Sequence, residues 1–195
     1  NARLSARSAR GYARLGHFTR DVVSDFALIA CQSKSDLRRF QKIGAPLESL
    51  HAVGSIKFDI DLAARRLQLE DIRADLGGEC RSRPLWAAAS THEGEEQLVL
   101  DAYLTLQARG IKTRLLLAPR HPNRTPAIIK LLDARGLCFQ KRSDETPLRA
   151  DTDILLIDTL GELSAFLGLA DAAFIGGSLV PRGGHNPIEA AAWGC

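Results

Sequence analysis

The stretch AAFIGGSLVPRGGHNPIEAAAWGC, Ala172 to Cys195, joins an apolar segment, a glycine-rich loop and a short helical pattern. Its first four residues predict a buried strand that ends at the glycine pair Gly176-Gly177. Asn186 is a favourable N-cap and Pro187 suits the first position of a helix, which can continue from Ile188 to Trp193. The stretch therefore predicts one strand–loop–helix unit of an α/β protein.

The same stretch also suggests a binding site. The first turn of the helix offers free backbone N–H groups behind glycines, which favours a phosphate. Glu189 lies one turn further on, where its carboxylate would repel a bare phosphate but could accept hydrogen bonds from a sugar hydroxyl. A nucleotide supplies both groups. A glycine-rich loop that only turns the chain remains the alternative.

Working outward, four more apolar segments alternate with helical patterns. Strands are predicted at 85–89, 114–118, 137–141 and 153–157, and helices at 95–109, 126–134 and 163–169. Apolar strands without alternation, separated by helices, indicate a doubly wound parallel sheet covered on both faces. The dinucleotide fingerprint G-x-G-x-x-G and the hydrolase elbow G-x-S-x-G are both missing from the sequence.

The residues before this alternating region form a different pattern. Short strands are predicted near 26–31 and 51–55, with a helix from Asp36 to Ile43 and a charged helix at 61–80. Ser82-Arg83-Pro84 is typical of a linker between domains, so the expected domains are 1–81 and 82–195. Arg3, Arg7, Arg10 and Arg14 have helical spacing, and this stripe suits either an anionic membrane surface or simple solvation.

Polar residues cluster where the predicted strands end. In a doubly wound sheet, ligands bind outside the carboxyl ends of the strands. Arg120 offers a planar cation, Gly161 permits close approach of a ligand, and Glu162 suits a helix start. The histidines lack the spacing of metal ligands. The polar segments are Ser90-Thr91-His92-Glu93, Pro119-Arg120-His121, Leu160-Gly161-Glu162, Gly176-Gly177-Ser178 and Asn186–Glu189.

Composition excludes several classes of protein. With 45% hydrophobic and 25% charged residues the chain can bury a core, and its net charge of +3 does not indicate nucleic acid. Cys31, Cys80, Cys138 and Cys195 are far apart, which favours reduced thiols over disulfides or zinc. No apolar run approaches the roughly 20 residues of a membrane span. The absence of Met suggests an internal piece of a longer protein.

Six motifs, in order along the chain, resemble the bacterial 3-deoxy-D-manno-octulosonic acid (Kdo) transferases of lipopolysaccharide assembly. The resemblance implies a GT-B glycosyltransferase with two Rossmann-like domains, of which this chain holds part of the acceptor-side domain (1–81) and most of the donor domain (82–195). It also implies an inverting transfer of Kdo from CMP-Kdo to the lipid A precursor, lipid IVA, without metal or cofactor. The motifs are NARLSARS at 1–8, KFD at 57–59, STHEGEE at 90–96, PRHP at 119–122, DTLGEL at 158–163 and GGSLVPRGGHNPIE at 176–189.

The resemblance further implies roles for residues. The family's general base is a glutamate expected upstream of Asn1, together with a membrane anchor at the cytoplasmic face of the inner membrane. Ser55 and Leu160 stand where the family usually has Asn and Met. Two other functions stay open, a GT-B transferase or epimerase acting on a UDP-sugar and a non-catalytic nucleotide-binding module. The implied CMP contacts are Pro119, Arg120, Leu160, Gly161, Glu162, Asn186, Pro187, Ile188 and Glu189, with Ser90, Gly177, Ser178 and His185 as additional donor-site candidates.

Overall fold

The chain forms two compact units, Asn1–Asp59 and Ile60–Cys195. The computed structural model describes the backbone of residues 1–195 and the side chains of 1–79 and 82–195, so the side chain of Cys80 lies outside the description. Helix α4 (Leu62–Leu76) packs into the core of the second unit through Leu69, Ile72 and Leu76. The structure therefore divides the chain at 59/60 rather than at the predicted 81/82.

The first unit contains three helices and a parallel pair of strands. The helices are α1 (Ala6–Ala13), α2 (His17–Ser24) and α3 (Lys34–Lys42), and strand β1 (Ile29–Cys31) pairs with β2 (Leu50–Ala52). Two 3-10 turns lie at Leu47–Ser49 and Ile56–Phe58.

The predicted arginine stripe is shorter in the structure than in the sequence pattern. Arg7 and Arg10 lie in α1, whereas Arg3 precedes that helix and Arg14 caps its end. The helix begins after Ser5 because the side chain of that residue accepts a hydrogen bond from the amide of Ser8. All four arginines are exposed.

The second unit is built on a five-stranded parallel sheet in the order β5-β6-β4-β3-β7. The strands are β3 (Leu85–Thr91), β4 (Arg114–Pro119), β5 (Phe139–Lys141), β6 (Ile154–Leu156) and β7 (Ala172–Ile175). The helices after α4 are α5 (Glu95–Ala108), α6 (Thr125–Ala134), α7 (Leu163–Leu167) and α8 (Ile188–Ala192), and 3-10 turns lie at Gly78–Arg81, Pro122–Arg124 and Arg142–Asp144.

Both faces of this sheet are covered. Successive side chains of a strand point to opposite faces, and in β4 Leu116 packs with α4 and α7 while Leu115 and Leu117 pack with α5 and α6. Two apolar clusters result, one on each face, which is why the strands show no polar alternation. The predicted doubly wound α/β sheet is confirmed.

The chain order reverses at β3, whose neighbours are β4 on one side and β7 on the other. Ser90 adopts a left-handed conformation (φ 55°) at a shift in register between Ala89 and Thr91. Its carbonyl oxygen would lie 2.2 Å from a Cβ atom built on Gly176. A glycine is therefore required at the end of β7, and the carboxyl ends of β3 and β7 meet at the topological switch point.

Candidate functional site

A cavity of about 250 Å³ opens at this switch point. It is formed by the ends of β3, β4 and β7 together with α7 and the start of α8, and we call it the rim cavity. Five predicted site residues therefore come together from separate parts of the sequence. Its lining residues are Ala89, Ser90, Arg120, Leu163, Leu167, Ile175, His185, Asn186 and Glu189.

Arg120 and Glu189 bring opposite charges to the rim cavity. Both residues are exposed, and within the described side chains neither makes an ion pair. The backbone N–H of Arg120 donates to the carbonyl of Thr91 at 2.9 Å, which fixes this residue just beyond β4. The cavity thus offers one cation and one carboxylate to a ligand that carries both an anionic group and hydroxyl groups.

The helix after the glycine loop starts one residue later than predicted. Helix α8 begins at Ile188 and ends at Ala192, with Pro187 as its N-terminal flanking residue. The Asn186 side chain still performs the predicted capping, because its Oδ1 accepts a hydrogen bond from the Ile188 amide at 3.1 Å. Asn186 is therefore oriented by the helix that follows it.

A buried glutamate that sequence reasoning missed organises the glycine loop. The carboxylate of Glu95, 0% exposed, accepts hydrogen bonds from the amides of His92 (2.9 Å) and Gly177 (2.8 Å) through Oε2. Its Oε1 accepts from Ser178 and Leu179, both at 3.0 Å. Burial raises the pKa of Glu95, but the four backbone hydrogen bonds outweigh it and lower the pKa below the usual value.

Gly177 and Ser178 consequently do not line the rim cavity. Their amides are directed at Glu95, and the Ser178 hydroxyl donates to the carbonyl of Ile175 at 2.7 Å. The amides of Gly184 and His185 donate to the carbonyls of Gly177 and Gly176, at 2.7 and 3.0 Å. The loop thus folds back on itself and carries His185 and Asn186 to the cavity.

The segment Leu160–Glu162 lies before α7 and is not part of the cavity lining. Leu160 is 80% exposed and Gly161 has a positive φ of 84°. Glu162 makes no capping hydrogen bond; instead its carboxylate accepts from Arg142 at 3.0 Å and from the Thr159 hydroxyl. Residue Leu163, which follows directly, does line the cavity.

Three histidines form a cluster beside the rim cavity. Nε2 of His92 lies 2.7 Å from Nε2 of His185, with the rings stacked, and the ring of His121 is 6.2 Å from that of His92. Burial and the neighbouring His185 lower the pKa of His92. A second cavity, of about 750 Å³, adjoins this cluster, and we call it the histidine cavity. Its lining residues are His92, Glu93, His121, Arg124, Val180, Pro181 and Arg182.

Two further properties hold for the described part of the chain. No group of three or more His, Cys, Asp or Glu side chains is arranged to hold a metal ion. No helix has both the length and the apolar character needed to cross a bilayer.

Known proteins resemble the chain over its whole length. Residues 1–60 match a family model described as 3-deoxy-D-manno-octulosonic-acid transferase (kdotransferase). The 3-deoxy-D-manno-octulosonic acid transferase of Haemophilus influenzae is 39% identical over 99% of this chain, and that of Bordetella pertussis is 36% identical over 100%. A crystal structure titled as the C-terminal CMP-Kdo binding domain of WaaA from Acinetobacter baumannii is 30% identical, with a TM-score of 0.60 over 67% of each chain.

The chain belongs to the Kdo transferase family. It spans 45% of the length of the two curated Kdo transferases named above. The family model ends beside the boundary between the two units, at residue 60. The match to the solved CMP-Kdo binding domain of WaaA agrees with the predicted GT-B type of α/β fold.

Proposed function

We propose that the second unit binds the CMP moiety of CMP-Kdo in the rim cavity, and that the protein transfers Kdo from this donor to the lipid A precursor. The convergence of Arg120, Asn186 and Glu189 on one cavity at the switch point carries the proposal. The similarity to the solved A. baumannii domain, which is named as a CMP-Kdo binding domain, supports the proposal. The second unit then corresponds to the donor domain and the first to the acceptor side.

The phosphate and the ribose of CMP each have a partner of suitable chemistry. The guanidinium of Arg120 can hold the phosphate through two parallel hydrogen bonds, and the carboxylate of Glu189 can accept from the ribose hydroxyls. Helix α8 has 5 residues, so its dipole is small and most of the phosphate charge is assigned to Arg120. The other CMP contacts that the sequence implies stay predictions: Pro119, Leu160–Glu162, Pro187 and Ile188.

The proposed reaction is an inverting transfer. A hydroxyl of the lipid-linked acceptor attacks the anomeric carbon of Kdo, its proton passes to a base, and CMP leaves with its phosphate charge stabilised by Arg120. We assign no residue of this chain as that base. The exposed Arg7 and Arg10 of the first unit suit contact with an anionic lipid surface at the cytoplasmic face of the inner membrane.

The proposal is tested by calorimetric titration of the protein with CMP, UMP and AMP. We expect CMP to bind more tightly than either of the others. A preference for UMP would favour a transferase or epimerase acting on a UDP-sugar. Failure of all three nucleotides to bind would leave the rim cavity without a nucleotide role.

Replacing Glu189 tests the ribose contact. Loss of hydrogen bonds to a charged acceptor costs about 1.5–3 kcal/mol, so Glu189→Ala is expected to weaken CMP binding by roughly tenfold or more. Glu48→Ala is the matched control, since Glu48 is exposed and lies outside the cavity. Equal CMP affinity in both folded variants would refute the role of Glu189.

A further inference from the structure

We infer that the histidine cavity holds the acidic sugar of the donor and that Arg182 and His121 bind its carboxylate. This inference rests on the proposed function, because it places the sugar next to a nucleotide in the rim cavity. It assigns the donor's second anionic group to residues that the nucleotide site does not use.

The two cavities adjoin each other at a pair of histidines. His185 lines the rim cavity and His92 lines the histidine cavity, and their Nε2 atoms are 2.7 Å apart. Arg120 and His121 are consecutive, yet Arg120 lines the first cavity and His121 the second. His121 has an extended backbone (φ −128°, ψ 112°), in which neighbouring side chains point to opposite sides.

The lining of the histidine cavity suits an anion. Two arginines and two histidines face one carboxylate, that of Glu93. Arg124 is already paired with the buried Glu96 at 2.8 Å, whereas Arg182 is exposed and makes no ion pair with any side chain that the structure describes. The charge of Arg182 acts on His92, since it contributes to lowering the pKa of that residue. Arg182 is thus the cation that remains available to a ligand.

The chemistry of the proposed donor requires two anion sites side by side. In CMP-Kdo the anomeric carbon carries both the phosphate oxygen and the carboxylate, so the two negative groups are separated by only a few bonds. Arg120 lines the rim cavity and Arg182 lines the histidine cavity, so the two adjoining cavities provide a separate cation for each group. A neutral sugar would leave Arg182 and His121 without an anionic partner.

The test compares two ligands on the same set of proteins. CMP and CMP-Kdo are titrated, without acceptor, into the unmutated protein and into Arg182→Ala, His121→Ala and Arg109→Ala. Arg109 is the matched control because it is exposed at the far end of α5, about 20 Å along that helix from the histidine cluster. The unfolding midpoint of each variant confirms that it is folded.

We expect the cavity variants to lose affinity for CMP-Kdo but not for CMP. Arg182→Ala should weaken CMP-Kdo by about tenfold or more and CMP by less than twofold, with a smaller selective loss for His121→Ala and none for Arg109→Ala. Equal weakening of both ligands would place Arg182 in the nucleotide site and overturn the inference. Unchanged affinity for CMP-Kdo in both cavity variants would also overturn it. If CMP fails to bind the unmutated protein, the proposed function falls, and this inference falls with it.

Discussion

Replacing Glu95 with glutamine should destabilise the second unit although the side chain keeps its shape. In the native protein each carboxylate oxygen accepts two backbone N–H groups, Oε2 from His92 and Gly177 and Oε1 from Ser178 and Leu179. Glutamine supplies one oxygen acceptor and one NH₂ donor. Whichever way the amide is turned, its NH₂ group faces two N–H donors.

The magnitude follows from this count. Two backbone donors lose their acceptor, in hydrogen bonds that are buried at Gly177 and partly buried at His92, Ser178 and Leu179. An unsatisfied buried donor costs about 1–3 kcal/mol, so we expect a loss toward the lower end of about 2–6 kcal/mol in the free energy of unfolding. Typical domains have about 5–15 kcal/mol in total. Because the same bonds hold Gly177–Leu179, the loop that carries His185 and Asn186 to the rim cavity should loosen, and CMP affinity should fall as well.

Urea unfolding followed by circular dichroism measures the first effect, and calorimetry with CMP measures the second. Glu145→Gln is the control, since Glu145 is an exposed acid of the second unit that lines neither cavity. If Glu95→Gln loses less than about 1 kcal/mol relative to this control, the four hydrogen bonds are not a major support of the loop. Loss of CMP binding with full stability would show that Glu95 acts on the ligand and not on the fold.

Two other predictions concern the same region. Gly176→Ala should lower the free energy of unfolding, measured in urea, by about 3 kcal/mol or more, because the added Cβ would lie 2.2 Å from the Ser90 carbonyl oxygen. Gly78→Ala is the control, since a Cβ there meets no atom within 4 Å. Equal stability of the two variants would contradict the close approach. The stability contributed by Glu95 should be fully present above its unfolded pKa of about 4.3 and be lost as pH falls through the lower folded pKa. The difference in unfolding free energy between the native protein and Glu95→Gln should therefore shrink below about pH 4, and a constant difference down to pH 2 would argue against the lowered pKa.

The sequence was sufficient to predict a covered parallel sheet in the second unit and the places where its strands end. Leu115-Leu116-Leu117 is apolar at every position because both faces of β4 are buried, so an unbroken apolar run correctly indicated a covered parallel sheet. Strand ends could be located from the polar residues after them, which placed Ser90, Arg120 and Glu189 at one edge. The structure brings these three into one cavity.

Contacts between distant parts of the chain could not be predicted in this way. Glu95 looks like an ordinary acid in the first turn of a helix. Its hydrogen-bond partners Gly177 and Leu179 follow it by 82 and 84 positions in the sequence. The amphipathic pattern of α4 predicts a buried face without saying which unit buries it. The carboxylate of Glu162 was open to capping or ligand contact, and Arg142 engages it instead.

The contacts of Glu95 show that the amides of the glycine loop are already occupied, so in the proposed site this loop does not cradle the phosphate. Three successive backbone amides, at 177–179, converge on one anion, which is the arrangement that other proteins use to bind phosphate. Here the anion belongs to the protein, so the loop is held in place before any ligand arrives. A phosphate at those amides would meet a buried negative charge and is excluded. In the proposed function the donor phosphate is therefore assigned to a side chain at the rim, and Arg120 is the cation that lines the rim cavity.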